Sequence, residues 1–223
     1  MFDLFIDDII GVDFFGDGIT AKSIRRDLAE VKPDEDIRLR INSPGGDVFE
    51  ASAIISVLSG RKGSISVQVD GLAASAASWL AMLGDSVTMT DGSMLMIHDP
   101  WTVRSGNADE LRKEADLLDK LGGEIAVAYG NKMGGTDAAR EAMRAESWYT
   151  PEEAVDAGLA SAITREFQAT TMAVPQSFRF KNTPKKVAIV SVMSKETIEK
   201  AGPDVRSMAM QLEIALTRIR QAV

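Results

Sequence analysis

Strand-like and helix-like segments alternate through most of the 223 residues, two strands run into glycine-bearing turns that lead to helices, and helix stop signals fall where the alternation needs them. Together these observations predict an α/β protein with crossover connections. In order, "FDLFIDD" supplies a first strand almost at Met1. "DIRLRINSPGGD" supplies a second, in which Ile37, Leu39 and Ile41 alternate before a turn at residues 42–46. "VFEASAIISVLSG" has helical spacing and stops at Gly60. "SISVQVDG" is the next strand and leads into "DGLAASAASWLAML", residues 70–83, as strand, turn and helix. "DSVTMT" and "SMLMIHD" are short strands around the turn "DGS". From Asn107 to about Asn131 the chain is charged, periodic and free of proline, which predicts a long exposed helix, and Thr136–Arg144 predicts another. "TPEEAVDAGL" carries a start signal, with Thr150 as cap, Pro151 in the first turn and Glu153 three residues after the cap; Gly158 is the stop.

The net charge of −8 is unevenly spread. Residues 176–223 hold nine Lys/Arg against four Asp/Glu, a net of +5, which leaves −13 on the first 175 residues. An acidic body argues against nucleic-acid binding by that body. "VPQSFRFKNTPKK" reads as a linker, and "PDVRSMAMQLEIALTRIR" places Val205, Met208, Leu212, Leu216 and Ile219 on one helical face, to be buried on its own body or on a partner. The organisation expected is a domain over 1–170, a linker over 171–187, and a basic tail with an amphipathic helix over 188–223. The chain has no cysteine, which removes disulfides, thiol catalysis and cysteine-based zinc sites. No apolar run approaches the ~20 residues that span a bilayer, and "MFDLFIDD" lacks the basic start of a secretory signal. A soluble cytoplasmic protein is the expectation.

Ser75 stands among very small side chains where a strand gives way to a helix. A nucleophilic serine at such a turn needs room for an acyl group, and the N–H after it can donate to a developing negative charge at a helix start. The G-x-S-x-G elbow is not matched, because Ala73 and Ala77 hold the glycine positions. Ser75 and Ser78 can equally pack or cap a helix start. A serine nucleophile needs a base, and the chain has one histidine, His98, at the end of a short apolar strand. Gly45 and Gly46 in "SPGGD" allow close approach of backbone to a ligand, or simply a tight turn.

Taken in order, "INSPGGDVFEA", "GLAASAASWLA", "MLMIHDP" and "AESWYTPEEAVDAGLA" resemble the proteolytic subunit of Clp protease, and more nearly the ClpP-related head maturation proteases of phages and prophages. The resemblance covers about residues 1–165. It implies a ClpP/crotonase-like spiral of β-β-α units with a protruding handle helix at Asn107 to about Asn131. It implies Ser75 as nucleophile, His98 as general base, the N–H groups of Gly46 and Ala76 as oxyanion hole, and substrate binding beside Gly45 and Gly46, with no metal and no cofactor. The best-known subunits carry an aspartate as third triad member; this chain has Glu146 at that place, one methylene longer, so the backbone or rotamer must compensate.

The activity implied is that of a serine endopeptidase working through an acyl-enzyme, assembled as a homo-oligomeric ring or two stacked rings and acting on polypeptides. A first strand so near Met1 leaves little room for the segment that docks an unfoldase ATPase. That favours ATP-independent processing of capsid or scaffold proteins, in the host cytoplasm or within a viral procapsid. Residues 176–223 would recruit acidic capsid partners and be dispensable for cleaving short peptides. Three alternatives stand beside this reading. A crotonase-type acyl-thioester enzyme would share a two-amide oxyanion hole but need neither Ser75 nor His98. An inactive ring-forming structural subunit has the Glu146 replacement as its support. A Ser–Lys peptidase of the signal-peptide-peptidase type would require a membrane anchor or leader and a catalytic lysine, and neither stands out.

Overall fold

The structure, a computed structural model, describes residues 1–12, 18–165, 174–175, 180–184 and 189–190. The chain divides into two compact units, Met1–Met172 with Phe180–Val187, and Ala173–Arg179 with Ala188–Val223. The predicted amphipathic tail helix and most of the linker lie outside the described residues.

The first unit is built on parallel strands. β1 (Phe2–Ile6), β2 (Ile37–Ser43), β3 (Ile65–Ala74), β4 (Ser86–Thr90) and β7 (Ala162–Thr164) lie side by side in that order, all parallel. In β2 the inward residues Ile37, Leu39 and Ile41 are fully buried. Its outward arginines are paired, Arg38 with Asp3 of β1 through two bonds of 2.8 and 2.7 Å, and Arg40 with Asp70 of β3 at 2.8 Å. This alternation of core and paired charge fixes the register, since a slip of one residue would bury the arginines.

β3 serves two neighbours in succession. Ser66–Val69 pair with β4, whereas Leu72–Ala74 pair with β5 (Met94–Ile97), again in parallel. β5 in turn pairs antiparallel with β6 (Ser147–Tyr149). The segment "SISVQVDG" predicts a strand that ends near Gly71; the ladder with β5 carries it on to Ala74, directly before Ser75. The short strands β6 and β7 were not anticipated, because three residues show no periodicity.

The helices are α1 (Ala21–Asp27), α2 (Val48–Ser59), α3 (Ala76–Ala81), α4 (Ala108–Met133), α5 (Thr136–Arg144) and α6 (Pro151–Asp156). Asn107 caps α4 by accepting from the N–H groups of Asp109 and Glu110, and Gly134 ends it in the left-handed conformation. α4 has no buried residue over its first half, and one face of its second half enters the core. Ile125, Ala126 and Tyr129 of the second half are buried in the core, so the charged pattern of the first turns does not extend along the whole helix. In the second unit, β8 (Val174–Pro175) and β9 (Ile189–Val190) form a parallel pair. No helix among the described residues is long and apolar enough to cross a membrane.

The start signal read at Thr150 is realised as a full capping box. The Thr150 hydroxyl accepts from the Glu153 N–H, and the Glu153 carboxylate accepts from the Thr150 N–H. Thr150→Ala is expected to destabilise the fold by about 1 kcal/mol, and Thr150→Ser to recover most of that, as read from denaturation midpoints.

Candidate active site

Strand register assembles the site. Ala74 of β3 pairs with Met96 of β5, and the Ser75 N–H continues the contact by donating to the Met96 carbonyl at 3.0 Å. His98 follows directly after β5, two residues past Met96, and falls beside Ser75. On the other edge of β5, Ile97 pairs with Ser147. One antiparallel step beyond that pair brings Glu146 opposite His98. Three segments far apart in sequence therefore meet at the end of one four-residue strand.

The Ser75 Oγ and the His98 Nε2 lie 2.7 Å apart. Ser75 makes no side-chain cap to α3. Its backbone, at φ 56° and ψ −126°, is a conformation that L residues rarely adopt. Ser75 and Glu146, at φ 50°, are the two non-glycine residues with positive φ among those described. Such strain costs about 1–3 kcal/mol per residue and persists only where the surroundings over-determine it.

Those surroundings are visible. The Ser78 hydroxyl, fully buried, lies 2.7 Å from the Ser75 carbonyl, 2.6 Å from the Met96 carbonyl and 2.7 Å from the Tyr129 hydroxyl. One hydroxyl has one hydrogen, so Ser78 donates to one carbonyl at a time while accepting from Tyr129. Ser78 is thus the packing serine of the pair. Tyr129 was not anticipated as part of the site; its signal was an aromatic in the apolar half of a helix, which any core residue shares. Burial pushes the Tyr129 phenol well above its ordinary pKa, so it is a neutral donor.

From the other side comes the glycine turn after β2. Gly45 has φ 92°, and a Cβ on it would stand 2.8 Å from the Ser75 Cβ and 2.9 Å from the Ala76 nitrogen, so the turn presses directly on the serine. Gly46 follows at φ 149°, pinned where Asp47 donates to the Ile10 carbonyl at 2.8 Å. The N–H of Ala76 opens α3 next to Ser75.

His98 is held below its ordinary pKa, chiefly by burial; the nearby charges of Glu146 and then Asp99 oppose this, and Lys181 adds to it. The imidazole is accordingly neutral at neutral pH and free to accept a proton. Glu146 is buried, and its charge favours protonated His98. Both carboxylate oxygens, however, accept from other groups, the N–H of Lys181 at 2.9 Å and the N–H of Asn182 at 2.6 Å. Among the described residues no hydrogen bond joins Glu146 to the His98 ring. The pocket beside the dyad is lined by Val48, Ala76, Trp79, Pro100, Ile125 and Tyr129, and is mainly apolar. The described residues contain no group of three or more His, Asp or Glu placed to hold a metal ion.

A serine hydroxyl on a strained strand-to-helix turn, bonded to a neutral imidazole at a sheet end, defines a serine-hydrolase type of site on an α/β scaffold. The Clp protease family profile matches residues 19–167, and the chain belongs to that family of peptidases. It is 31% identical over 162 residues to the ATP-dependent Clp protease proteolytic subunit 1 of Synechococcus sp. (strain CC9902), covering 67% of this chain and 81% of the relative. It is 31% identical over 158 residues to the subunit of the same name from Prochlorococcus marinus (strain NATL2A), covering 66% and 79%. Over 162 residues it is 28% identical to the ATP-dependent Clp protease proteolytic subunit of Bacteroides fragilis (strain ATCC 25285), covering 70% and 78%. These relatives are cellular bacterial proteins.

The strained turn yields a stability test. Glycine adopts positive φ freely and alanine does not, so Ser75→Gly is expected to unfold at a higher midpoint than Ser75→Ala, by about 1 kcal/mol. Equal midpoints would show that the turn is relaxed.

Proposed function

We propose that the chain is a serine endopeptidase that cleaves polypeptides through an acyl-enzyme, and the observation that carries this is the 2.7 Å contact between the Ser75 Oγ and the His98 Nε2. His98 takes the Ser75 proton as the Oγ attacks the peptide carbonyl. The N–H groups of Gly46 and Ala76 receive the oxyanion, and the close seating of Gly45, just before Gly46, on Ser75 and Ala76 supports that pairing. The C–N bond breaks, and His98 passes its proton to the leaving amine. Water, deprotonated by His98, then attacks the ester and frees Ser75. Glu146 acts as third member through its charge on the imidazolium. An extended substrate would run beside Gly45 and Gly46, with an apolar side chain in the pocket against Trp79 and Ile125. The reaction draws on side chains and backbone alone.

The family membership supports a ring of identical subunits in the cytoplasm. The exposed Leu111, Leu117 and Val127 on α4 support its use as the handle between rings. The finer assignment, capsid or scaffold maturation without an ATPase, draws its support from the motif resemblance, whereas the relatives carry "ATP-dependent" in their names. Cleavage of a folded capsid protein by the purified chain without nucleotide separates the two; a requirement for an unfoldase would reject the phage reading.

A fluorophosphonate probe should label Ser75, and Ser75→Ala and His98→Ala should each lose turnover on the order of 10⁴-fold or more. An unlabelled Ser75 would leave the crotonase and inactive-subunit readings standing. Because the neutral imidazole is the base and its pKa is lowered, kcat/KM should rise with pH through an apparent pKa below the ordinary histidine value of ~6.5. An acid limb above that value would contradict the assignment of His98.

A further inference from the structure

We propose that Phe180–Asn182 is a positioning strap for the catalytic base, in which two consecutive backbone N–H groups orient the Glu146 carboxylate while the Phe180 ring backs the imidazole of His98. The proposal builds on the peptidase reading above.

Each oxygen of Glu146 has its own donor, Lys181 N–H on Oε2 and Asn182 N–H on Oε1, so the carboxylate can neither rotate nor withdraw. A third bond, from the Asn182 Nδ2 to the Ala145 carbonyl at 2.9 Å, ties the strap to the backbone just before Glu146. The Phe180 ring meets His98 edge-on at 5.6 Å and meets Trp148 in the same way at 5.6 Å. It therefore touches both His98 and Trp148, and covers one side of the imidazole.

A segment lying on an active site can equally be a brake. The location decides against this. The pocket beside Ser75 is lined from α2, α3, α4 and the loop after β5, and no residue of 180–184 lines it. The strap closes the rear of the imidazole and leaves the mouth of the site uncovered. The charged groups around His98 are Glu146 before β6, Asp99 next in sequence and Lys181 on the strap, and the neutral Tyr129 of α4 lines the pocket. On this proposal the part of residues 176–223 that forms the strap is needed for cleaving short peptides, against the expectation from the sequence.

Because His98 is the chain's sole histidine, one ¹³C-labelled histidine resonance reads its titration in the full-length protein without any assay of activity. In Phe180→Ala the midpoint should move up toward the ordinary ~6.5 as the imidazole is wetted, with Phe180→Leu restoring most of the shift. In the kinetic arm, Asn182→Pro removes one donor and should lower kcat for a short peptide about 10- to 100-fold with KM within about twofold. Lys181→Pro should lose far more than Lys181→Ala, which keeps its N–H. A His98 resonance that titrates unchanged in Phe180→Ala overturns the proposal, as does a kcat equal to or above wild type in Asn182→Pro. If Asn182→Pro is unfolded by circular dichroism, the titrations of the two Phe180 variants decide alone. If the wild type cleaves no peptide, the peptidase reading fails, and the titrations still decide whether the strap covers His98.

Discussion

The pairing of β5 with strands on both of its edges is the constraint on which the rest of the molecule depends. β5 is only four residues long, and all four are buried. Its parallel partner delivers Ser75 and its antiparallel partner delivers Glu146, both to the end where His98 emerges. Neither edge can slip by one residue without turning every side chain of the strand to the opposite face. The Met96 carbonyl reinforces the register from the parallel side, since it accepts from the Ser75 N–H and lies within reach of the Ser78 hydroxyl.

Around that strand, buried polar groups supply the rigidity that apolar packing alone would not. The Ser78–Tyr129 contact links the first turn of α3 to the far half of α4, so a helix that begins in solvent finishes as a support beneath the strained turn at Ser75. A partly satisfied network in a low-dielectric interior would be costly, whereas a satisfied one enforces a single arrangement. This accounts for the strained backbone at Ser75, because the conformation is imposed simultaneously by β5, by Ser78 and by the glycine turn pressed against it from β2.

The sequence made the layers legible wherever a local rule was obeyed strictly. The alternation of Ile37, Leu39 and Ile41, the stop at Gly60 and the capping box at Thr150 each depend on neighbours a few residues away, and each is present in the structure. The candidate residues Ser75 and His98 could be named because one stands among unusually small side chains and the other has no competitor of its type. Their 23-residue separation carries no distance information, and it is the β3–β5 register that brings them together. Tyr129 and the stretch 180–182 were not legible for a different reason. A core tyrosine and a backbone N–H have no distinguishing pattern, and a basic, proline-containing run reads as linker whether or not its amides find a buried carboxylate.

The match to the family profile ends at residue 167, yet the donors that hold Glu146 come from residues 181 and 182. The family match and the hydrogen bonding of Glu146 therefore have different ends in this chain. An expression clone trimmed at the edge of the recognisable domain would keep the whole family match and still strand a buried glutamate without its partners.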